Sequence, residues 1–343
     1  MWPERIVDLP ALEELLSRPS PGAVDDLAAL DGDILVLGAA GKMGPTLARM
    51  ARRALDAAGS DRRVMAVSRF SEPGVRESLE AAGVQTYTVD LLDDDVIDAL
   101  PDAANVVYMV GRKFGTAGQE HLTWATNGYL AGRLGRRYRD SRMVAFSTGN
   151  VYGLREVVRG GASERDATQP VGEYAASCLA RERLLEDVSR RLGLRLLLYR
   201  LNYAVELRYG VLVEIATAVR DGTPVDVSTA AVNVVWQGDA NAYALRALRW
   251  CESPPRVLNA TGPETVSIHS MATEFGRLLG VEPMFCGQEQ ASALLSDGSQ
   301  AHRMFGYPSV ALAQVVAWTA DWVARGGVTL DKPTKFQVRT GRY

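Results

Sequence analysis

The run "DILVLGAAGKMG", residues 33–44, is an apolar stretch that ends in three spaced glycines. An unbroken apolar run bounded by a turn signal reads as a strand buried on both faces. The segment behind it, "PTLARMARRALDAAG" (45–59), has helical spacing. Strand, glycine loop and helix in that order suit a dinucleotide's phosphates. Gly38 allows the tight turn, Gly41 lets backbone approach a pyrophosphate, and Gly44 permits close helix–strand packing. The helix N-terminus then offers unpaired N–H groups to the anion. Lys42, beside Met43 inside the loop, either adds charge near a phosphate or is solvated.

Outward from this stretch the pattern repeats. "RRVMAVSRF" (62–70), "VQTYTVD" (84–90), "ANVVYMV" (104–110), "RMVAFSTG" (142–149) and "LRLLLYRLN" (194–202) read as further strands. Helical segments fall between them, including a short one at "DDDVIDAL" (93–100) and a long one over residues 121–140. Apolar strands alternating with helices predict an α/β fold, a doubly wound parallel Rossmann sheet. After about residue 205 the alternation loosens, and "RVLNATG" (256–262) resembles a returning strand. The expected organisation is a helical arm over 1–30 and an NAD(P)-binding Rossmann domain over 31–205 with a return segment near 225–262. A smaller, interleaved C-terminal substrate lobe takes 206–224 and 263–343. The tail "DKPTKFQVRTGRY" (331–343) is polar and expected to pack late or fray.

Composition narrows the function classes. A formal charge of −3 with no polybasic cluster gives no electrostatic case for nucleic acid. No window approaches 18 apolar residues and the first twenty carry acids at apolar positions, so no membrane span and no signal peptide are expected. Cytoplasmic localisation is the resulting expectation. The three cysteines and three histidines are scattered, which suggests neither a disulfide framework nor a metal site. Lysine is scarce, occurring only at 42, 113, 332 and 335.

The second strand ends in Ser68 and Arg69, where an NAD site usually has an acid for the ribose 2′-hydroxyl. Serine and arginine there suit a 2′-phosphate, so NADP is preferred over NAD. Asp90, after the third strand, either accepts from adenine or caps the next helix, with Leu91 beside it. Val110 and Gly111, closing the fourth strand, complete the expected cofactor-binding set.

"GAAGKMG" (38–44), "VDLLD" (89–93), Asn127 in "TNGYLAG", "FSTGNVYG" (146–153), Tyr174 and "YRLNYA" (199–204) occur in one order along the chain. Together they resemble the extended short-chain dehydrogenase/reductases, specifically the NAD-dependent epimerase/dehydratase family. That resemblance implies hydride transfer, with Tyr174 handling the proton and Thr148 orienting the reacting oxygen. Ser147 lies beside Thr148, and Asn127 matches a residue that orders the site. The family's lysine, four residues after the tyrosine, matches Cys178. An unperturbed tyrosine has a pKa near 10, so only about one phenol in a thousand ionises at pH 7. Without the ammonium, Tyr174 suits proton donation better than proton abstraction. Lys113, just after the fourth strand, is the candidate replacement cation or else a solvated loop lysine.

The resemblance implies an NAD(P)-dependent oxidoreductase or epimerase acting on a small, carbohydrate-like substrate. The alternative is a catalytically impaired NADP(H)-binding sensor or scaffold of the same fold. Nucleotide-sugar members commonly carry a basic residue in the stretch matching "VSTAAVNVVWQGDAN" (227–241); none is present, which favours a sugar, sugar acid or related hydroxy/keto compound. Trp236 and Tyr203 could stack on a sugar or fill the core. Dihydrodipicolinate reductases also have a loop similar to "GAAGKMG", but their paired histidines are absent. A homodimer through the helices containing Asn127 and Tyr174 is expected by analogy alone.

Overall fold

The computed structural model describes residues 2–115 and 118–342. Its centre is a seven-stranded sheet: β1 (Ile34–Leu37), β2 (Val64–Ser68), β3 (Gln85–Thr88), β4 (Asn105–Tyr108), β5 (Arg142–Thr148), β6 (Arg195–Leu201) and β7 (Arg256–Ala260). The spatial order is β7-β6-β5-β4-β1-β2-β3, and every pairing is parallel. The α/β doubly wound prediction holds, including the returning strand β7.

Alternation along each strand divides the core between two faces. Ile34 and Val36 of β1 pack with Leu47, Ala51 and Leu55 of α3 (Gly44–Ala57) on one face. Leu35 and Leu37 pack on the other with Leu130 and Leu134 of a helix after β4 and Leu185 and Val188 of α7 (Gly172–Leu192). All four β1 residues are fully buried, which is why the strand reads as an unbroken apolar run. The sheet order reverses between β1 and β4, and such a switch point opens a crevice at the strands' carboxyl ends.

A third core builds the smaller lobe from α8 (Val211–Arg220), α10 (Ile268–Leu279) and α12 (Leu312–Ala324). Trp236 lies here, tilted against Trp318 at 5.5 Å between centroids, so it fills the core. The N-terminal arm forms α1 (Leu9–Leu16) and α2 (Pro21–Ala28). Leu12, Leu15 and Leu16 join the lobe core and Leu27 joins the sheet core, so the arm bridges the two.

Two local expectations are corrected, and between the two outcomes expected for the tail the structure shows packing. "DDDVIDAL" makes only one tight turn, Asp94–Val96, with Asp93 accepting from the Asp95 amide. Ile97 and Leu100 reach the sheet core, but the segment is too short to propagate a helix before Pro101. The long helix over 121–140 is interrupted: α5 (Glu120–Trp124) passes into a π segment, Ala125–Tyr129, before α6 (Leu130–Arg137). Asn127 sits in that segment and its side chain is bonded outward, a common setting for such bulges. Over its described residues, 331–342, the tail packs rather than frays. Phe336 is buried, Thr229 donates to its carbonyl, and Arg339 holds Ser292.

Candidate active site

The glycine loop has the geometry its spacing requires. Gly38 takes a φ of +83°, and a Cβ there would stand 2.9 Å from the Val110 amide nitrogen at the end of β4. A Cβ on Gly44 would meet the Ala39 carbonyl oxygen at 2.3 Å, so the helix start is pressed onto the loop. At Gly41 the nearest atom would be the Gly38 carbonyl at 3.3 Å, leaving this glycine facing open space. That cradle fits a dinucleotide. Gly44→Ala is expected to cost about 1–3 kcal/mol through backbone overpacking and to weaken NAD binding at least tenfold. Calorimetric titration with NAD alongside a denaturant melt checks both; unchanged affinity would remove the loop from the site.

Two cavities meet at Gly38, Gly41, Met109 and Gly111. The outer one, about 410 Å³, is lined by Ser68, Arg69, Asp90, Leu91 and Val110. Arg69 and Asp90 are both well exposed and approach to 4.0 Å, a contact of little energetic weight. Asp90 also accepts from the Leu92 amide, closing a turn; the cap of the next short helix is Asp93 instead. The inner cavity, about 330 Å³, holds Lys42, Met43, Lys113, Ser147, Thr148 and Tyr174. Tyr203, with a left-handed φ of 43°, lines it too.

Strand β5 delivers Ser147 and Thr148 to the carboxyl edge. Thr148 and the Tyr174 phenol, from the first turns of α7, line the same cavity wall, and Thr148 favours the ionised phenol. Thr148 also donates to the Asn150 side chain at 3.2 Å and receives the Asn150 amide. Ser147 turns away and donates to Glu182 at 2.5 Å. Asn127 lines neither cavity. Its amide side chain accepts from the Arg112 amide at 2.8 Å and donates to the Ser177 hydroxyl at 2.9 Å, tying the loop after β4 to α7.

Cys178 does sit beside Tyr174, which packs against it as helical spacing dictates. It is also buried in an apolar patch with Val151, Tyr152 and Ala162. Burial pushes the Cys178 thiol up, although Arg181 pulls the other way. Burial likewise raises the Tyr174 phenol well above its ordinary value, with Cys178 adding to the rise and Arg181 and Thr148 opposing it. Both groups therefore stay neutral at pH 7.

Cations cluster nearer than the sequence suggested. Lys113 Nζ lies 6.0 Å from the Tyr174 ring centroid and donates to the Thr334 carbonyl at 3.2 Å. Burial lowers its pKa to about 8, while Glu214 works to raise it. Arg181, one further turn along α7, is buried and donates to carbonyl oxygens of Phe146 and Asn127 and to Asn127 Oδ1. Thr334 and Tyr209 complete the wall; both lie in irregular segments where no periodicity marks them. Asn150 and Asn202 were legible as polar residues inside the recognised motifs, and neither was singled out.

Residues 34–205 match the NAD dependent epimerase/dehydratase family. The chain belongs to it. No curated protein matches the sequence. Among solved structures it is similar to a UDP-glucuronic acid 4-epimerase from Bacillus cereus, at 19% identity and TM-score 0.72 over 85% of this chain and 99% of that one. A UDP-glucose 4-epimerase from Thermotoga maritima gives 18% identity and TM-score 0.71 over 86% and 99%. A dTDP-glucose 4,6-dehydratase from Streptomyces venezuelae gives 18% and 0.70 over 85% and 97%. All three were solved with bound ligands of the nucleotide or nucleotide-sugar kind, two of them with NAD. At this identity they establish the fold of the epimerase/dehydratase chain described here.

Proposed function

We propose that this epimerase/dehydratase family member moves hydride between a pyridine dinucleotide and a hydroxyl or carbonyl of a small carbohydrate-like compound. The observation that carries this is the Tyr174 phenol and the Thr148 hydroxyl standing together on the wall of the cavity that also contains Gly38 and Gly41. The loop glycines would hold the dinucleotide's phosphates, Asp90 and Arg69 its adenosine half, and Gly111 the passage between the cavities. When bound, the dinucleotide supplies a hydride donor or acceptor. The chain's own groups do the rest. Thr148 orients the substrate oxygen, and Tyr174, neutral at working pH, gives that oxygen a proton. Ser147 does not act directly in this reading; its bond to Glu182 fixes the end of β5. Asn127 keeps the loop after β4 in place.

In this reading Cys178 stands where the family has its lysine, and Lys113 with Arg181 supplies positive potential in its stead. A substrate without a nucleotide is supported by residues 227–241, which carry no Lys or Arg and whose Asp239 is engaged by Ser309 and Val310. The test is nicotinamide absorbance over a panel of sugars, sugar acids and nucleotide sugars; binding without turnover on all of them would favour the sensor reading. The elevated Tyr174 pKa is what supports that second reading, because no ready base is formed.

Cofactor choice follows Ser68 and Arg69. Solved relatives carry NAD, and nothing in them supports a preference for NADP. The guanidinium's freedom on the rim, with only a weak Asp90 contact, keeps a 2′-phosphate partner available. Arg69→Ala is expected to weaken NADPH binding about tenfold, a charge-assisted pair's worth, and to leave NADH unchanged. Fluorescence titration of both reduced cofactors decides it; equal effects on the two would assign Arg69 to a group they share and not to the 2′-phosphate.

A further inference from the structure

Lys42 belongs to the glycine loop, yet its side chain leaves the loop. Nζ crosses the inner cavity, donates to the Ala204 carbonyl at 3.1 Å and lies 4.3 Å from the centre of the Tyr209 ring. It lines the inner cavity and is absent from the wall of the outer one. Among the described residues no Asp or Glu lines the inner cavity. The acid acting on Lys42, Glu206, is buried and paired with Arg208, within a cluster that Glu13 and Arg49 complete. A half-buried ammonium facing one carbonyl and one ring, with no ion pair to a carboxylate among the described residues, is free to take an anionic partner from the cavity. Backbone amides at a helix N-terminus already suit the dinucleotide's phosphates, so this charge is in excess there.

We propose that Lys42 is a specificity-determining residue that takes the carboxylate of a small hydroxy or keto acid, presenting that substrate's reacting oxygen to Tyr174 and Thr148. This deepens the function proposed above and rests on it for the chemistry of the reacting oxygen. The carboxylate would pair with Lys42 across the mouth framed by Ala204 and Tyr209, and the ammonium would gain what the protein withholds from it.

The charge has a pH limit. Burial lowers Lys42 to about 8; Glu206 opposes this, and Arg208 and Lys113 add to it. The Tyr209 phenol, pushed up to about 12 mainly by burial, stays neutral throughout. Recognition of an acid is therefore present at pH 7 and fades as pH rises through about 8. Lys113 titrates in the same range, so the Lys42 variants are what separate the two.

The experiment is calorimetric titration of D-glucuronate, D-galacturonate, D-glucose and D-glucose 6-phosphate, with and without saturating NADH. Wild type is expected to bind at least one uronate about tenfold or more above glucose, in line with a charge-assisted pair. Lys42→Met should erase that margin with NADH affinity held within about twofold, and Lys42→Arg should keep part of it. Equal binding of uronates and glucose in wild type overturns the proposal, as does a preference for the phosphate ester. Loss of NADH affinity in Lys42→Met with the uronate margin intact would instead make Lys42 a cofactor ligand. A Lys42-dependent uronate margin in a protein that binds no dinucleotide keeps this inference and removes the redox reading.

Discussion

Tyr174→Phe is expected to lower turnover by about 10²–10⁴-fold, the usual contribution of a positioned proton donor, while NADH affinity stays within about twofold. Only the hydroxyl is lost. The ring keeps its place against Val151, Tyr152 and Cys178, so packing survives. What disappears is the hydroxyl that stands with Thr148 at the inner cavity. The loss corresponds to about 3–5 kcal/mol of transition-state stabilisation. Direction matters as well. With the phenol held well above its ordinary pKa by burial, carbonyl reduction should exceed alcohol oxidation at pH 7, and oxidation should climb with pH. Reduction should stay level until Lys113 discharges near pH 8. Initial rates in both directions from pH 6 to 10 test this. A phenylalanine variant that turns over normally, or oxidation that peaks near neutrality, would leave Tyr174 without the assigned role.

Glu182→Ala should give the largest stability loss, about 3–5 kcal/mol, as expected when one member of a buried ion pair is removed. Arg200 Nε and Nη2 reach the two Glu182 oxygens at 2.9 and 2.6 Å, and both side chains are almost wholly buried. Burial opposes the Arg200 charge, yet the contact with Glu182 carries its pKa above the ordinary value. Truncating Glu182 strands that guanidinium over the Tyr152 ring at 4.7 Å and orphans the Ser147 hydroxyl. The double variant Glu182→Leu, Arg200→Met should recover most of the loss, because two apolar side chains leave no charge uncompensated. Urea unfolding of the single and double variants measures this. A single variant within about 0.5 kcal/mol of wild type would mean that the pair is not buried in solution as the structure has it.

The α7 residues show where reading by pattern stops. Tyr174, Cys178 and the next turn share one face by helical spacing alone, and that much was legible. Arg181 and Glu182 lie on the same buried face, although charged residues usually face water. Their partners, the Asn127 and Phe146 carbonyls and Arg200, come from separate segments of the chain. Lys113 presents the same difficulty: its loop position was readable, but its approach to Tyr174 depends on how the lobe and the tail residue Thr334 close around it. Lys42 goes furthest. Its place in the loop suggested a phosphate or solvent, and the fold turned it across the cavity instead.

Chain-local physics determined the sheet, the crossover loop and the family motifs: alternation of faces, unbroken apolar runs and glycines where a Cβ would collide all repeat within a few residues. Tertiary structure alone decided which charges are enclosed and what they face. The reason is that burial and Coulomb interaction depend on three-dimensional neighbours, and those neighbours stand tens to hundreds of residues away along the chain.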